Sequence, residues 1–118
     1  MSDTNETTAT IEVDTAEYER RARNGVAFLD AHVATDQVPA NWRELVRWDE
    51  LLMRSNCVMV QLYDTWSVAG GEFTYPVIED PELGFFLGAW DDETYEERGL
   101  RWSALTNAWK NVAREWAK

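Results

Sequence analysis

Cys57 and His32 are the only thiol and the only imidazole in this chain. Any nucleophilic or proton-shuttling site would therefore have to use them. A thiolate nucleophile needs a base within hydrogen-bond reach. The pair can meet only if the helix carrying His32 packs beside the segment carrying Cys57. A zinc site would need carboxylates to complete four ligands around the same two residues. Simpler roles are available to both. His32 falls near the end of a helix, where the backbone dipole favours an imidazolium, and Cys57 sits in an apolar run, where a thiol is inert. The structural roles are preferred, so no catalytic residue, metal or cofactor is assigned. With one cysteine there is no internal disulfide.

Gln61 is the single side-chain amide inside the apolar run 57–63. If buried, it must be hydrogen-bonded or it costs about 1–3 kcal/mol. A neighbouring backbone such as the 48–54 segment is the preferred partner, and ligand recognition is the alternative. Asp91, Asp92 and Glu93 could hold a hard cation, but they also precede a helix whose N-terminal dipole favours acid. Gly70-Gly71 is not followed by the Lys and Ser/Thr of a phosphate-binding loop.

The elements that must position these residues are mostly helical. Asp14 with Glu17 reads as a capping box opening a helix over residues 15–33. Tyr18, Ala22, Val26, Leu29 and Val33 form its apolar stripe. Gly25 lies inside that helix at a cost of roughly 1 kcal/mol relative to Ala, which points to a neighbour packed closely against it. Residues 34–41 are a loop around Pro39. Asn41 caps a short helical turn over 42–46, and 48–53 is irregular or helical. Ser55 caps a helix over 56–66 that is apolar nearly all round and so is buried on most sides. Beyond Gly70-Gly71, the alternation of Phe73, Tyr75 and Val77 and the run Phe85-Phe86-Leu87 predict a small β-hairpin at about 73–88, with Pro76 restricting its first strand to an edge. Thr94 with Glu97 is a second capping box, opening a C-terminal helix on which Trp102, Leu105, Trp109, Val112 and Trp116 recur at three-four spacing. The expected architecture is a mainly α domain, three to four helices around a buried central helix, spanning residues 11–118 behind a disordered polar tail, 1–10.

Charge narrows the function. The chain carries 22 acidic and 11 basic residues, a net charge of −11. Such a surface repels nucleic acid, whose binding requires Lys and Arg to replace counterions, and also repels anionic membranes. The polar N-terminus has no basic flank or apolar core of a signal peptide, so a cytoplasmic location is expected. Tryptophan is the second anomaly, with seven copies in 118 residues. Each buries roughly 150–250 Å² when enclosed, and a small core cannot easily take all seven. Trp66 and Trp90, which carry no periodic signal, are the expected exposed anchors, joined by Tyr95. The Trp102/Trp109/Trp116 spacing is also a heptad. Core is its preferred role, and the seam of a homodimer is the alternative.

Residues 46–63 resemble a pattern found in a family of small proteins from actinobacterial phages and their hosts. That pattern is an aliphatic residue, Leu-Asp, Leu, Met, Ser, Cys and a Leu-x-Gln-Leu-Tyr run. It is represented here by Val46, Trp48-Asp49, Leu51, Met53, Ser55, Cys57, Met59, Gln61, Leu62 and Tyr63. Gly25, Phe28-Leu29-Asp30, Pro39, Trp42, Gly84-Phe85, Leu105-Thr106 and Ala108-Trp109 extend the resemblance to about residues 22–112. Val60 stands where that family usually has Gly, and Cys57 where some members have two cysteines, which argues against a paired-cysteine site. The resemblance implies a phage origin and an accessory role, without a mechanism.

These observations favour a protein that binds a bacterial host protein with a basic surface, through an acidic and aromatic face. The expected binding residues are Trp66, Trp90, Tyr95, Asp91, Asp92 and Glu93. A mimic of DNA that blocks a nucleic-acid-binding or defence protein is an alternative. A small-ligand binder or enzyme using Cys57, His32 and Gln61 is another.

Overall fold

The computed structural model describes residues 14–88 and 93–117. The expected tail, and Trp90, Asp91 and Asp92 of the expected binding face, lie outside the described residues. Among the described residues, six α-helices carry the fold: α1 (Thr15–Val33), α2 (Trp42–Leu45), α3 (Val58–Tyr63), α4 (Trp66–Phe73), α5 (Tyr75–Ile78) and α6 (Tyr95–Arg114). Short 3-10 turns lie at Trp48–Glu50, Pro81–Leu83 and Glu115–Ala117. The domain is mainly α, as the periodicity predicts.

The two long helices start for the predicted reasons. Asp14 accepts from the Glu17 backbone N–H at 3.2 Å. The Glu17 side chain turns away to Arg20 and Arg21, so only half of this capping box forms. Those two guanidiniums, Arg20 first, hold the Glu17 carboxyl down to about pKa 2. At α6 the box is complete: Thr94 Oγ1 accepts from Glu97 N (3.1 Å), and Glu97 Oε1 accepts from Thr94 N (2.9 Å).

α1 packs most extensively on α6, and the two run roughly parallel, since Glu19 meets Asn111 and Arg23 meets Glu115. The buried positions of α1 are Tyr18, Ala22, Gly25 and Leu29. Gly25 has the predicted close neighbour. A Cβ there would stand 2.3 Å from the Leu83 carbonyl oxygen and 2.6 Å from the Trp109 ring. Trp109 is fully buried. It stacks on Phe85 at 5.5 Å between centroids and donates its indole N–H to the Gly84 carbonyl at 2.7 Å. Gly84 itself needs to be glycine: it sits at φ 77°, and a Cβ would meet the Arg21 carbonyl oxygen at 2.7 Å.

A second aromatic cluster closes the C-terminal end. Trp116 packs edge-on against Trp42 (5.7 Å) and Trp48 (5.4 Å). Arg43 lies over the Trp116 ring at 4.3 Å and is held there by Asp30 at 2.6 Å. The other oxygen of Asp30 accepts from the Trp42 indole N–H at 2.9 Å.

Three expectations are corrected. The predicted 56–66 helix is two helices: Asp64 turns the chain at φ 80°, and Thr65 Oγ1 then caps α4 by accepting from Val68 N. Gly70-Gly71 does not end this region but lies within α4. The hairpin at about 73–88 does not form. Tyr75–Ile78 closes a helical turn, with Pro76 in the first turn where its missing N–H is harmless. The period-two pattern misleads because Phe73 is buried while Tyr75 and Val77 face outward.

Two glycine substitutions separate packing from propensity. Gly25→Ala lowers stability by about 1–3 kcal/mol despite the better helix former, because its Cβ overlaps backbone and indole. Gly71→Ala, whose Cβ meets nothing within 4 Å, raises it by about 0.5–1 kcal/mol. Urea unfolding of both variants checks the opposite signs.

Candidate functional site

The three residues that could do covalent chemistry are used separately. His32 is half-buried between Phe28 (4.2 Å) and Phe73 (5.3 Å). Its Nδ1 lies 2.8 Å from the Phe28 carbonyl, which can only accept, so Nδ1 carries a proton. Cys57 is buried, and desolvation pushes its thiol pKa up, away from the reactive thiolate. Gln61 clamps the chain as a strand would. Its Oε1 accepts from Arg47 N at 2.6 Å, and its Nε2 donates to the carbonyls of Arg47 (3.3 Å) and Asn56 (3.2 Å). The amide does bond to neighbouring backbone, but at Arg47 and Asn56, which flank the expected 48–54 segment. A hollow of about 180 Å³ reaches Cys57, but its other lining residues are Met53, Arg54, Val60, Trp66, Phe85, Phe86 and Trp102. It gathers neither His32 nor Gln61.

That hollow opens onto a larger feature. Cavities of about 420 Å³ and 680 Å³ adjoin it, and all three share Arg54 and Trp102. Together they form a trough along one face of α6. Gly99, Trp102, Ser103, Thr106, Asn107 and Lys110 supply its helical side, recurring at spacings of three and one, which is one face of a helix. At 1.5 Å per residue that face runs about 16 Å. Leu52, Arg54 and Ser55 form the opposite wall. Phe86, Gly88, Tyr95 and Arg98 close one end. Thr106 joins wall to floor, its Oγ1 accepting from Met53 N at 2.9 Å.

The aromatic floor is a row. Phe86 lies 6.3 Å from Trp66 and 6.0 Å from Trp102. Trp66 is half-buried in this row instead of standing as an exposed anchor, while Tyr95 is 84% exposed at the rim. Trp109 is enclosed by its own chain, and Trp102 and Trp116 are half-buried within it. The heptad spacing of these three thus serves three different intramolecular contacts.

Glu93, expected on the acidic face, has its side chain only 4% exposed. Its Oε2 accepts from Arg98 Nη1 at 2.7 Å. Its Oε1 lies 3.0 Å from Arg101 Nη1, outside hydrogen-bond geometry. Arg98 also donates to the Gly88 carbonyl at 2.6 Å and lies over Trp102 at 5.8 Å. Glu93 thus positions the guanidinium at the end of the trough. No sequence signal separates Glu93 from its acidic neighbours, because its partners lie one and two turns into α6. The trough as a whole is also missed from sequence, since Leu52 and Arg54 come from a segment with no periodicity.

Among the described residues, no group of three or more His, Cys, Asp or Glu side chains could hold a metal ion. No described helix is long and apolar enough to cross a membrane. No protein family, curated protein or solved structure matches the chain.

Removing the Glu93 carboxylate takes the acid they share from Arg98, which is buried, and from Arg101, which is 39% exposed. Glu93→Ala lowers stability by about 3–5 kcal/mol, whereas Glu50→Ala, in an exposed pair with Arg47, changes it by less than about 1 kcal/mol. Thermal unfolding of the two variants tests the difference.

Proposed function

We propose that this chain is a protein-binding module, an accessory protein of the actinobacterial-phage kind that engages a bacterial host protein in the cytoplasm. The observation that carries this reading is the trough beside α6. It is open and elongated, floored by aromatic rings that the fold leaves half-covered. Aromatic anchors in a shallow depression are where binding energy concentrates in protein interfaces. Two further observations support it. His32, Cys57 and Gln61 are each committed to separate structural contacts. The net charge of −11 favours a partner that presents a basic surface around the contact and speeds its encounter. The resemblance over residues 46–63 supports the phage assignment.

Affinity capture from an actinobacterial lysate tests the reading. The immobilised chain is expected to retain a saturable partner of basic isoelectric point, and retention falls as salt is raised through the physiological range, where the screening length shrinks to about 8 Å. Absence of any saturable partner even at low salt contradicts it.

A further inference from the structure

We infer that the trough along α6 receives an extended peptide segment of the partner that carries a carboxylate beside an apolar side chain. This deepens the protein-binding reading above and rests on it.

Uncompensated cations are scarce among the described residues. Acids outnumber bases two to one in this chain, and most described bases are ion-paired within the fold. Arg114 is hydrogen-bonded to Asn111. Among the described residues, Arg54 and Lys110 are the two bases with neither an ion pair nor a hydrogen bond, and both line the same trough. No acidic residue is among the described lining residues of its three compartments. In a chain of net charge −11, Arg54 and Lys110 put two uncompensated positive charges in one trough, and their complement is an anion.

Gly99 adds a geometric observation. It lies in α6 and lines two of the compartments, and a Cβ there would meet nothing within 4 Å. Unlike Gly25, it has no packing reason among the described residues for the roughly 1 kcal/mol that glycine costs a helix. Close approach of another molecule supplies one.

Shape and charge choose the occupant. A trough of about 16 Å matches roughly five residues of extended chain at 3.3 Å each. Its apolar floor, Trp102 and Phe86, takes a hydrophobic side chain while Arg54 or Lys110 meets a carboxylate. Nucleic acid is disfavoured, because two free cations cannot offset −11 against a phosphate backbone. A second copy of the chain is disfavoured by like net charge.

The test uses a displayed library of random twelve-residue peptides, selected on the folded protein and counter-selected on Gly99→Leu. That substitution fills the trough from a position with open space, and circular dichroism checks that the variant keeps its fold. Enriched peptides are expected to carry Asp or Glu within two positions of Leu, Phe or Trp. Their affinity should fall about tenfold with Arg54→Gln or Lys110→Gln and further with Gly99→Leu. Enrichment of Lys- or Arg-rich peptides, no enrichment over the filled variant, or tighter binding of an oligothymidylate than of any peptide overturns the inference. The protein-binding reading is judged separately: lysate capture that persists undiminished with Gly99→Leu leaves it standing while removing the trough from it.

Discussion

The fold depends on one buried indole. Trp109 reaches from α6 across to α1, where Gly25 supplies the missing side chain that lets the ring lie against the helix backbone. Its ring stacks on Phe85 and its N–H satisfies the Gly84 carbonyl, which the left-handed turn at Gly84 aims inward. Burying an indole of roughly 150–250 Å² is worth on the order of 4–6 kcal/mol as an upper bound. That exceeds the roughly 1 kcal/mol that Gly25 costs its helix. Two glycines and one tryptophan thereby fix the spacing of α1, α6 and the Pro81–Leu83 turn together. The trough runs along the adjacent flank of the helix so held, with Trp102 one heptad before Trp109.

Acid and base are distributed unevenly over that frame. The arginines of α1 and α2 pair with Glu17, Glu82, Glu115 and Asp30. These pairs are mostly exposed and contribute little stability individually. Their consequence is to cancel positive charge over most of the molecule, so the potential is set by surplus acid. Arg54 and Lys110 escape that cancellation. At one end of the trough, the buried Glu93 carboxylate fixes Arg98 against Gly88 and Trp102. The result is a pair of uncompensated cations, Arg54 and Lys110, beside an aromatic floor.

Much of the frame was legible in the sequence, for identifiable reasons. The stripe on α1, both N-terminal caps and the three-four recurrence on α6 are local signals, and local signals survive folding. Gly25 announced a close neighbour because glycine inside a helix otherwise makes no sense. Gln61 announced a backbone partner because an amide inside an apolar run needs one wherever it is shielded from water. The central helix was misread where two short-range signals competed: the apolar run over 57–63 outweighed Asp64 and Thr65, which turn and cap the chain. The alternating 73–77 segment was misread because a one-turn helix has too few residues to show a period. The trough was not legible at all, since it is assembled from α6, the 52–55 wall and the 86–88 segment, which only tertiary contacts bring together. The residues that carry the resemblance to phage proteins are largely the ones that hold the fold. Gly25 meets Trp109, Asp30 meets Trp42, and Gln61 clamps Arg47. Such a pattern specifies a shape, and the proposed recognition surface lies elsewhere, in residues such as Arg54, Gly99 and Lys110.

The keystone role of Trp109 is tested most directly by urea unfolding of Trp109→Phe. The smaller ring keeps an aromatic contact with Phe85 but leaves the Gly84 carbonyl without its donor and a gap over Gly25. Stability should fall by about 2–4 kcal/mol with an unchanged denaturant slope. A loss below about 0.5 kcal/mol would show that α1 and α6 are held together by something other than this indole.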